Sequence, residues 1–163
     1  MREEIKKAID DEDPLFVSLG KMRIKDDELQ EIAEYIIQTH PQVKQVLLGN
    51  NPITDKGATI LATALMPLVG IEKPFKSLDL SHTLVGEQGC QALCEGLVRL
   101  NPSFFICLYG CKWQDRERAF DLQQAAIKKF YENQEKKKVE SHRPSTPPDE
   151  PSPPSSSKRP RTK

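Results

Sequence analysis

One sequence pattern occurs twice in the middle of this chain, and it restricts the possible folds more than any other feature. Residues 43–65 (VKQVLLGNNPITDKGATILATAL) align without a gap with residues 75–97 (FKSLDLSHTLVGEQGCQALCEGL). The first half of each copy has the alternating apolar spacing of a β-strand, and the second half has the spacing of a helix. Each copy is therefore predicted to form a strand, a turn and a helix. One such unit cannot bury its apolar face alone, so the units must stack on each other.

Two weaker copies of the pattern flank the central pair. The shared positions are four apolar residues, one glycine and two leucines, which are Val43, Val46, Leu48, Ile53, Gly57, Leu61 and Leu65 in the first copy and Phe75, Leu78, Leu80, Val85, Gly89, Leu93 and Leu97 in the second. Upstream, Val17 and Leu19 take strand positions, and downstream Ile106 and Leu108 do so. The periods between equivalent strand positions are 29, 32 and 28 residues.

The pattern resembles the leucine-rich repeat of the ribonuclease-inhibitor-like subtype, whose signature is LxxLxLxxNxL followed by a turn and a helix. Asn51 stands at the asparagine position of that signature, Thr83 replaces it in the next copy, and Cys111 stands where the family takes asparagine or cysteine. The resemblance implies an α/β fold, a short solenoid of about four strand-turn-helix repeats with a parallel concave sheet, helices outside and helical caps. The chain is also similar to small leucine-rich-repeat effectors of intracellular bacteria, which implies a host protein as its partner.

We divide the chain into three parts. Residues 1–13 are predicted to form an N-terminal capping helix, because Ile5, Ala8 and Ile9 share one face before Pro14. Residues 14–138 are predicted to form the repeat domain, including a C-terminal capping helix at 115–138. The strands are expected near residues 16–20, 45–49, 77–81 and 105–109. Residues 139–163 are predicted to be a disordered basic tail, since the segment from Ser141 holds seven prolines and no aliphatic or aromatic residue.

The charge of the chain is unevenly distributed. Its formal net charge is zero, but residues 1–135 hold 16 basic and 21 acidic side chains, whereas residues 136–163 hold 8 basic and 3 acidic ones. The predicted folded part therefore lacks the excess of cations typical of nucleic-acid-binding domains. No apolar run reaches the length of a membrane span, and the N-terminus has no apolar signal region. The sequence predicts a cytoplasmic monomer, with delivery into a host cell without a cleavable signal, or nuclear import, as alternatives.

The candidate binding site is the concave face, which we define as the strand side chains that point away from the helices together with the residues that follow them. Alternation along a strand places every second side chain on that face. Aromatic side chains exposed there would carry much of the binding energy of a partner. The alternative is that Phe16 and Phe105 pack under the capping helices. The residues predicted to bind the partner are Gln45, Leu47, Asn50, Ser77, Asp79, Ser81, His82, Phe105, Cys107 and Tyr109.

Neither a metal site nor a catalytic site is expected. Cys90 and Cys94 take core helix positions, Cys111 takes the buried asparagine position and only Cys107 faces outward, so the thiols cannot converge on one ion. Asp79, Ser81 and His82 lie close in sequence, but a catalytic triad requires convergent side chains and an oriented base. The sequence thus predicts a non-catalytic protein-binding module that needs no cofactor.

The basic tail supports an alternative function. Lys158, Arg159, Arg161 and Lys163 resemble a short nuclear-import signal. The tail also contains three Pro-x-x-Pro segments and two Ser/Thr-Pro phosphorylation motifs, all common by chance in such sequence. In this interpretation the protein is a nuclear adaptor whose tail engages an import receptor or nucleic acid, and binding to nucleic acid would weaken steeply with added salt.

Overall fold

The computed structural model describes residues 1–113 and 115–141, which form an α/β fold of four strands and five α-helices. Single turns of 3₁₀ helix precede α2 and follow α3, and a π-helical turn at Cys94–Val98 continues α4. In chain order the elements are α1 (Glu3–Asp10), β1 (Phe16–Ser18), α2 (Leu29–Thr39), β2 (Gln45–Leu47), α3 (Asp55–Ala64), β3 (Ser77–Asp79), α4 (Glu87–Leu93), β4 (Phe105–Cys107) and α5 (Arg116–Ser141).

The four strands form one parallel sheet in the order β1-β2-β3-β4. Phe16 pairs with Gln45, Gln45 with Ser77, and Ser77 with Phe105. These pairs join equivalent positions of the four sequence copies, so the repeat periods set the register of the sheet. The predicted α/β fold with a four-stranded parallel sheet is confirmed.

The strands are shorter than the sequence predicts, with three residues each instead of five. Backbone hydrogen bonds nevertheless continue beyond them, as the Asn50 N–H donates to the Ser81 carbonyl and the His82 N–H to the Tyr109 carbonyl. The third residue after each strand adopts a left-handed backbone conformation, just beyond the predicted end of that strand. These four residues have φ between +54° and +67° and are Lys21, Asn50, His82 and Gly110.

The core lies between the sheet and the helices. Val46 and Leu78 point from the strands into it and are essentially inaccessible to solvent. At the N-terminal end, α1 buries Ile5 and Ile9 against this core, but the helix ends at Asp10, three residues before the predicted end. At the other end, α5 starts one residue later than predicted and runs three residues further, to Ser141.

Two polar side chains, Asn51 and Asp55, join successive repeats by hydrogen bonds. The Asn51 amide nitrogen donates to the Leu19 and Leu48 carbonyls, at 2.9 and 2.8 Å, and its side-chain oxygen accepts the Ile24 N–H at 3.0 Å. The Asp55 carboxylate at the start of α3 accepts hydrogen bonds from two N–H groups at the start of α4. Each repeat thus satisfies backbone groups that its neighbour cannot satisfy alone.

Candidate functional site

The strand register places aromatic residues at both ends of the concave face. Phe16 in β1 is 44% exposed, Phe105 in β4 is 60% exposed and Tyr109 beyond β4 is 64% exposed. The alternative in which Phe16 and Phe105 pack under the capping helices is therefore wrong. Between these ends lie half-buried residues of the two central repeats, which are Gln45, Leu47, Ser77, Asp79 and Ser81. The face thus has apolar ends and a polar centre.

The polar centre is organised by Asp79. Its Oδ1 atom accepts the Ser81 N–H at 2.8 Å, which fixes the carboxylate on the face of the sheet. Gly49, in the neighbouring repeat, is buried rather than exposed as the sequence predicts. A Cβ atom on Gly49 would lie 2.8 Å from Ser81 Oγ, so glycine at this position makes room for the polar pair.

The rim beyond β3 and β4 carries an aromatic pair. The rings of His82 and Tyr109 meet edge to face, with centroids 5.4 Å apart and planes at 88°. Gly110 is close to the same imidazole, where a side chain would collide with the His82 ring. His82 and Asn50 are exposed on this rim. The imidazole is thus held by packing against Tyr109, and no hydrogen bond joins it to Asp79 or Ser81 within the described residues.

Cys107 is the cysteine that lies on the concave face, and it is half-buried. Burial raises the pKa of its thiol, the backbone at Tyr109 opposes this shift, and the negative charge of Asp79 adds to the increase. Thiolate is the reactive form of cysteine. At a given pH below its pKa, Cys107 is therefore expected to react more slowly than an unperturbed thiol.

Replacing Asp79 by asparagine is expected to lower the pKa of Cys107, because it removes a negative charge that opposes ionisation. The rate of alkylation of Cys107 by iodoacetamide, followed by peptide mass spectrometry across pH, should therefore rise at lower pH in Asp79→Asn. Glu34→Gln removes a carboxylate on α2 and should leave the profile unchanged. An unchanged profile in Asp79→Asn would show that the carboxylate does not act on the thiol.

The other three cysteines are buried, as their repeat positions indicate. The Cys94 thiol donates to Cys90, which lowers the pKa of Cys90 and raises that of Cys94. Cys111 donates to the Leu80 carbonyl at 3.0 Å and contacts the Thr83 hydroxyl at 3.3 Å. Across residues 1–113 and 115–141, no group of three or more His, Cys, Asp or Glu residues is arranged to hold a metal ion.

Four of the residues proposed from the sequence belong to the tail. Lys158, Arg159, Arg161 and Lys163 lie outside the described residues, as does the predicted disorder beyond Ser141. None of the helices in the described part of the chain combines the length and the apolar character needed to cross a bilayer. The compartment of the protein stays a prediction.

Comparison with known proteins gives matches in structure alone. No protein-family model matches the chain, and no curated protein matches its sequence. One similar solved structure is actin-binding site 2 of leiomodin-1, with 14% identity, a TM-score of 0.49, and coverage of 85% of this chain and 94% of that one. Another is the C-terminal domain of a Caenorhabditis elegans tropomodulin, with 14% identity, a TM-score of 0.48, and coverage of 83% and 96%.

These structures correct the resemblance inferred from the sequence. The expected similarity to ribonuclease-inhibitor-like repeats and to small bacterial effectors is wrong, because the similar structures are leiomodin and tropomodulin domains. The short repeat signature therefore identified the strand-turn-helix unit but not its relatives. At 14% identity and TM-scores below 0.5, the likeness assigns neither a family nor a partner to this chain.

Proposed function

We propose that this protein is a non-catalytic recognition module that binds another protein through its concave face. The observation that carries the proposal is the pair of exposed aromatic side chains, Phe105 and Tyr109, beside a fixed carboxylate. Solvent-exposed aromatic groups that share one face are typical of interaction sites. The small polar side chains of the two central repeats leave room for a partner to approach the sheet.

The arrangement favours a protein partner over a small ligand. Four strands at about 4.8 Å spacing make a face roughly 20 Å across. Binding energy in protein interfaces comes mainly from a few aromatic or arginine anchors surrounded by weaker contacts. Tyr109 and Phe105 would supply such anchors, and Asp79 would select a hydrogen-bond donor or cation on the partner. A standard interface needs about 800 Å² on each side, so the rim at His82 and Asn50 is included in the proposed site.

Leu47→Glu is expected to abolish partner binding, because it places a charge in the middle of the interface. We would replace Gln45, on the concave face, with a photo-crosslinking phenylalanine derivative in the full chain and irradiate it in a lysate of the source organism. Mass spectrometry would identify the crosslinked protein. The affinity of the purified partner should fall at least about tenfold in Leu47→Glu, the scale of a lost interface anchor.

The matched control for this experiment is Leu84→Glu. Leu84 is 49% exposed in the turn that leads to α4, outside the concave face, so the same charge is added elsewhere on the surface. Circular dichroism would first show that both variants keep their helix content. A crosslinked partner that binds Leu47→Glu and Leu84→Glu equally well would contradict recognition through the concave face.

No described contact favours a second function. The interpretation as a nuclear adaptor depends on Lys158, Arg159, Arg161 and Lys163, and it stays a prediction from the sequence. Binding of the full chain to DNA or to an import receptor, with a steep loss of DNA affinity in added salt, would be its signature. We place the recognition module in the cytoplasm on sequence grounds alone.

A further inference from the structure

The sheet has an open edge at β4, which is the last strand in the order β1-β2-β3-β4. Phe105 and Cys107 pair their backbone groups with β3, because the Phe105 N–H donates to the Lys76 carbonyl and the Cys107 carbonyl accepts the Leu80 N–H. Along a parallel strand the backbone groups of alternate residues point to opposite sides. The N–H and carbonyl of Ile106 and the N–H of Leu108 therefore point away from β3, toward the place where a fifth strand would lie, whereas the Leu108 carbonyl accepts the Cys111 N–H at 3.4 Å.

A cavity of about 880 Å³ lies along this edge. We call it the edge groove and define it by its lining, which comes from β4 and the rim beyond it (105–110), from the start of α5 and from α4 with its π-helical turn. Cys90, Cys94 and Val98 are buried in its floor. Phe105 and Tyr109 line it from β4 and the rim, and Trp113, Ala119 and Phe120 line it from the last loop and from α5.

The walls of the edge groove are apolar, yet one large apolar side chain in them is exposed to solvent. Phe120 on α5 is 59% exposed although it faces the groove. The cap formed by α5 packs on α4 and its π-helical turn, and no strand of the described residues pairs with the outer side of β4. An uncovered strand edge is a template for pairing with another extended chain. Open backbone groups combined with apolar walls match the way a protein adds a peptide strand to its own sheet.

The charge at the mouth of the groove narrows the choice of ligand. Asp115 lines the mouth, but its carboxylate is engaged by the Arg118 N–H at 2.9 Å. Arg116 also lines it, and within the described residues its guanidinium forms no ion pair. A carboxylate on the ligand would therefore be able to pair with Arg116.

We propose that the edge groove binds an extended peptide segment of another protein, which pairs with β4 as a fifth strand. The segment has apolar side chains at alternate positions, which enter between Tyr109 and Phe120, and an acidic residue that meets Arg116. This site is separate from the contacts at Leu47 and Asp79 on the concave face. A partner that reaches both would be held by a face and an edge of the same sheet.

Two other occupants fit the groove less well. Residues 142–163 of this chain hold seven prolines and no aliphatic or aromatic residue, and proline has no N–H with which to pair with a strand. In a second copy, β4 lies between the same walls, so two such edges cannot approach to the roughly 4.8 Å spacing of paired strands. A lone peptide backbone is narrow enough to enter.

The test begins with a phage-displayed library of random peptides, each about a dozen residues long to span a strand and its flanks, selected on the full chain. Selected sequences should alternate apolar and polar residues and include an acidic residue. A synthetic peptide of the most frequent sequence would then be titrated by fluorescence anisotropy. Phe120→Glu should weaken its binding at least about tenfold, as expected on losing an aromatic anchor. Tyr131→Glu is the matched control, since Tyr131 is 58% exposed on the same helix away from the groove, and it should leave the affinity nearly unchanged.

Hydrogen exchange measured by NMR reports on strand pairing directly. The Ile106 and Leu108 amides should exchange rapidly in the free chain and become protected when the peptide is bound. Every second residue of the bound peptide would donate its N–H to β4. N-methylation of those residues should abolish binding, whereas N-methylation of the residues between them should not. Leu47→Glu should leave the peptide affinity unchanged, so failure here is distinguishable from failure of the concave-face proposal.

Four results would overturn the proposal. The first is a selection that yields no peptide, or only peptides indifferent to Phe120→Glu. The second is a consensus of proline-rich peptides. The third is protection of the Ile106 and Leu108 amides in the free monomer, which would make the tail the occupant. The fourth is protection that grows with protein concentration together with a dimer in sedimentation, which would make a second copy the occupant.

Discussion

Replacing Asn51 by alanine is expected to lower the free energy of unfolding by about 3–4 kcal/mol, because the buried Asn51 side chain makes hydrogen bonds to the carbonyls of Leu19 and Leu48 and to the N–H of Ile24. Alanine would leave all three backbone groups without that partner, and each buried unsatisfied group costs about 1–3 kcal/mol. The bonds join the first two repeats, so we expect their exchange protection to fall together. Urea unfolding followed by circular dichroism would measure the loss.

Thr83 provides a control at the equivalent position of the next repeat. Its hydroxyl donates a single hydrogen bond to the Leu80 carbonyl, at 2.7 Å, and that carbonyl also accepts from Cys111. Thr83→Ala is therefore expected to cost only about 1 kcal/mol, the net contribution of one ordinary hydrogen bond. Equal losses in Asn51→Ala and Thr83→Ala would show that Asn51 has no special role in joining the repeats.

Gly89→Ala is expected to destabilise the protein by about 2–3 kcal/mol, although alanine favours helix by about 1 kcal/mol. A Cβ atom at Gly89 would lie 2.6 Å from Asp55 Oδ1, 2.8 Å from Val85 Cγ1 and 2.9 Å from Ala58 Cβ. The same Asp55 oxygen accepts the Gly86 and Gly89 N–H groups, at 2.6 and 2.9 Å. Relief of the collision would therefore break the contact that caps α4. The midpoint of thermal unfolding should fall by several degrees.

Two further variants separate the collision from a general effect of alanine. Gly70→Ala adds the same methyl group in a loop where the nearest side-chain atom is 3.4 Å away, and it should change stability little. Asp55→Ala removes the carboxylate that the methyl group added at Gly89 would meet. The loss of stability measured in the double variant Asp55→Ala/Gly89→Ala should be smaller than the sum of the losses in the two single variants, since both substitutions act on one contact. A stabilising Gly89→Ala would refute the close approach of α3 and α4.

The two proposed binding surfaces meet at β4. Phe105 and Tyr109 border both the concave face and the edge groove, whereas Leu47 lies only on the face and Phe120 only in the groove. Substitutions at Phe105 or Tyr109 are therefore expected to affect both kinds of binding. Variants at Leu47 and Phe120 distinguish them.

Much of the backbone could be predicted from periodicity. The positions of the four strands and their register follow from the alignment of the copies, because side chains at equivalent positions must pack on each other in a stack. The lengths of the strands could not be predicted. The left-handed residues Asn50 and His82 lie just beyond the predicted strand ends, and side-chain periodicity carries no signal for the earlier end of regular strand pairing.

The candidate site was only partly predictable. Alternation along the strands indicated which side chains leave the core, including Asp79 and Tyr109. It failed at Gly49, which Ser81 covers from the next repeat. The edge groove could not be predicted from any single segment of the sequence, because its walls come from Tyr109 beyond β4 and from Phe120 on α5.

By itself, the sequence determined the unit of this protein and the order in which its units stack, because an apolar pattern repeated at a fixed period can bury its face only against its own copies. The tertiary structure decided the contacts between neighbouring repeats and the way in which the last repeat is capped. Only there do Asp55 and Gly89, from different repeats, share one small space. The cap that closes the last repeat is also a matter of packing, since the direction of α5 determines how much of β4 stays open. Contacts within a repeat are local and follow the periodic pattern. Contacts between different repeats and with α5 depend on how these segments pack in three dimensions, which no short segment encodes.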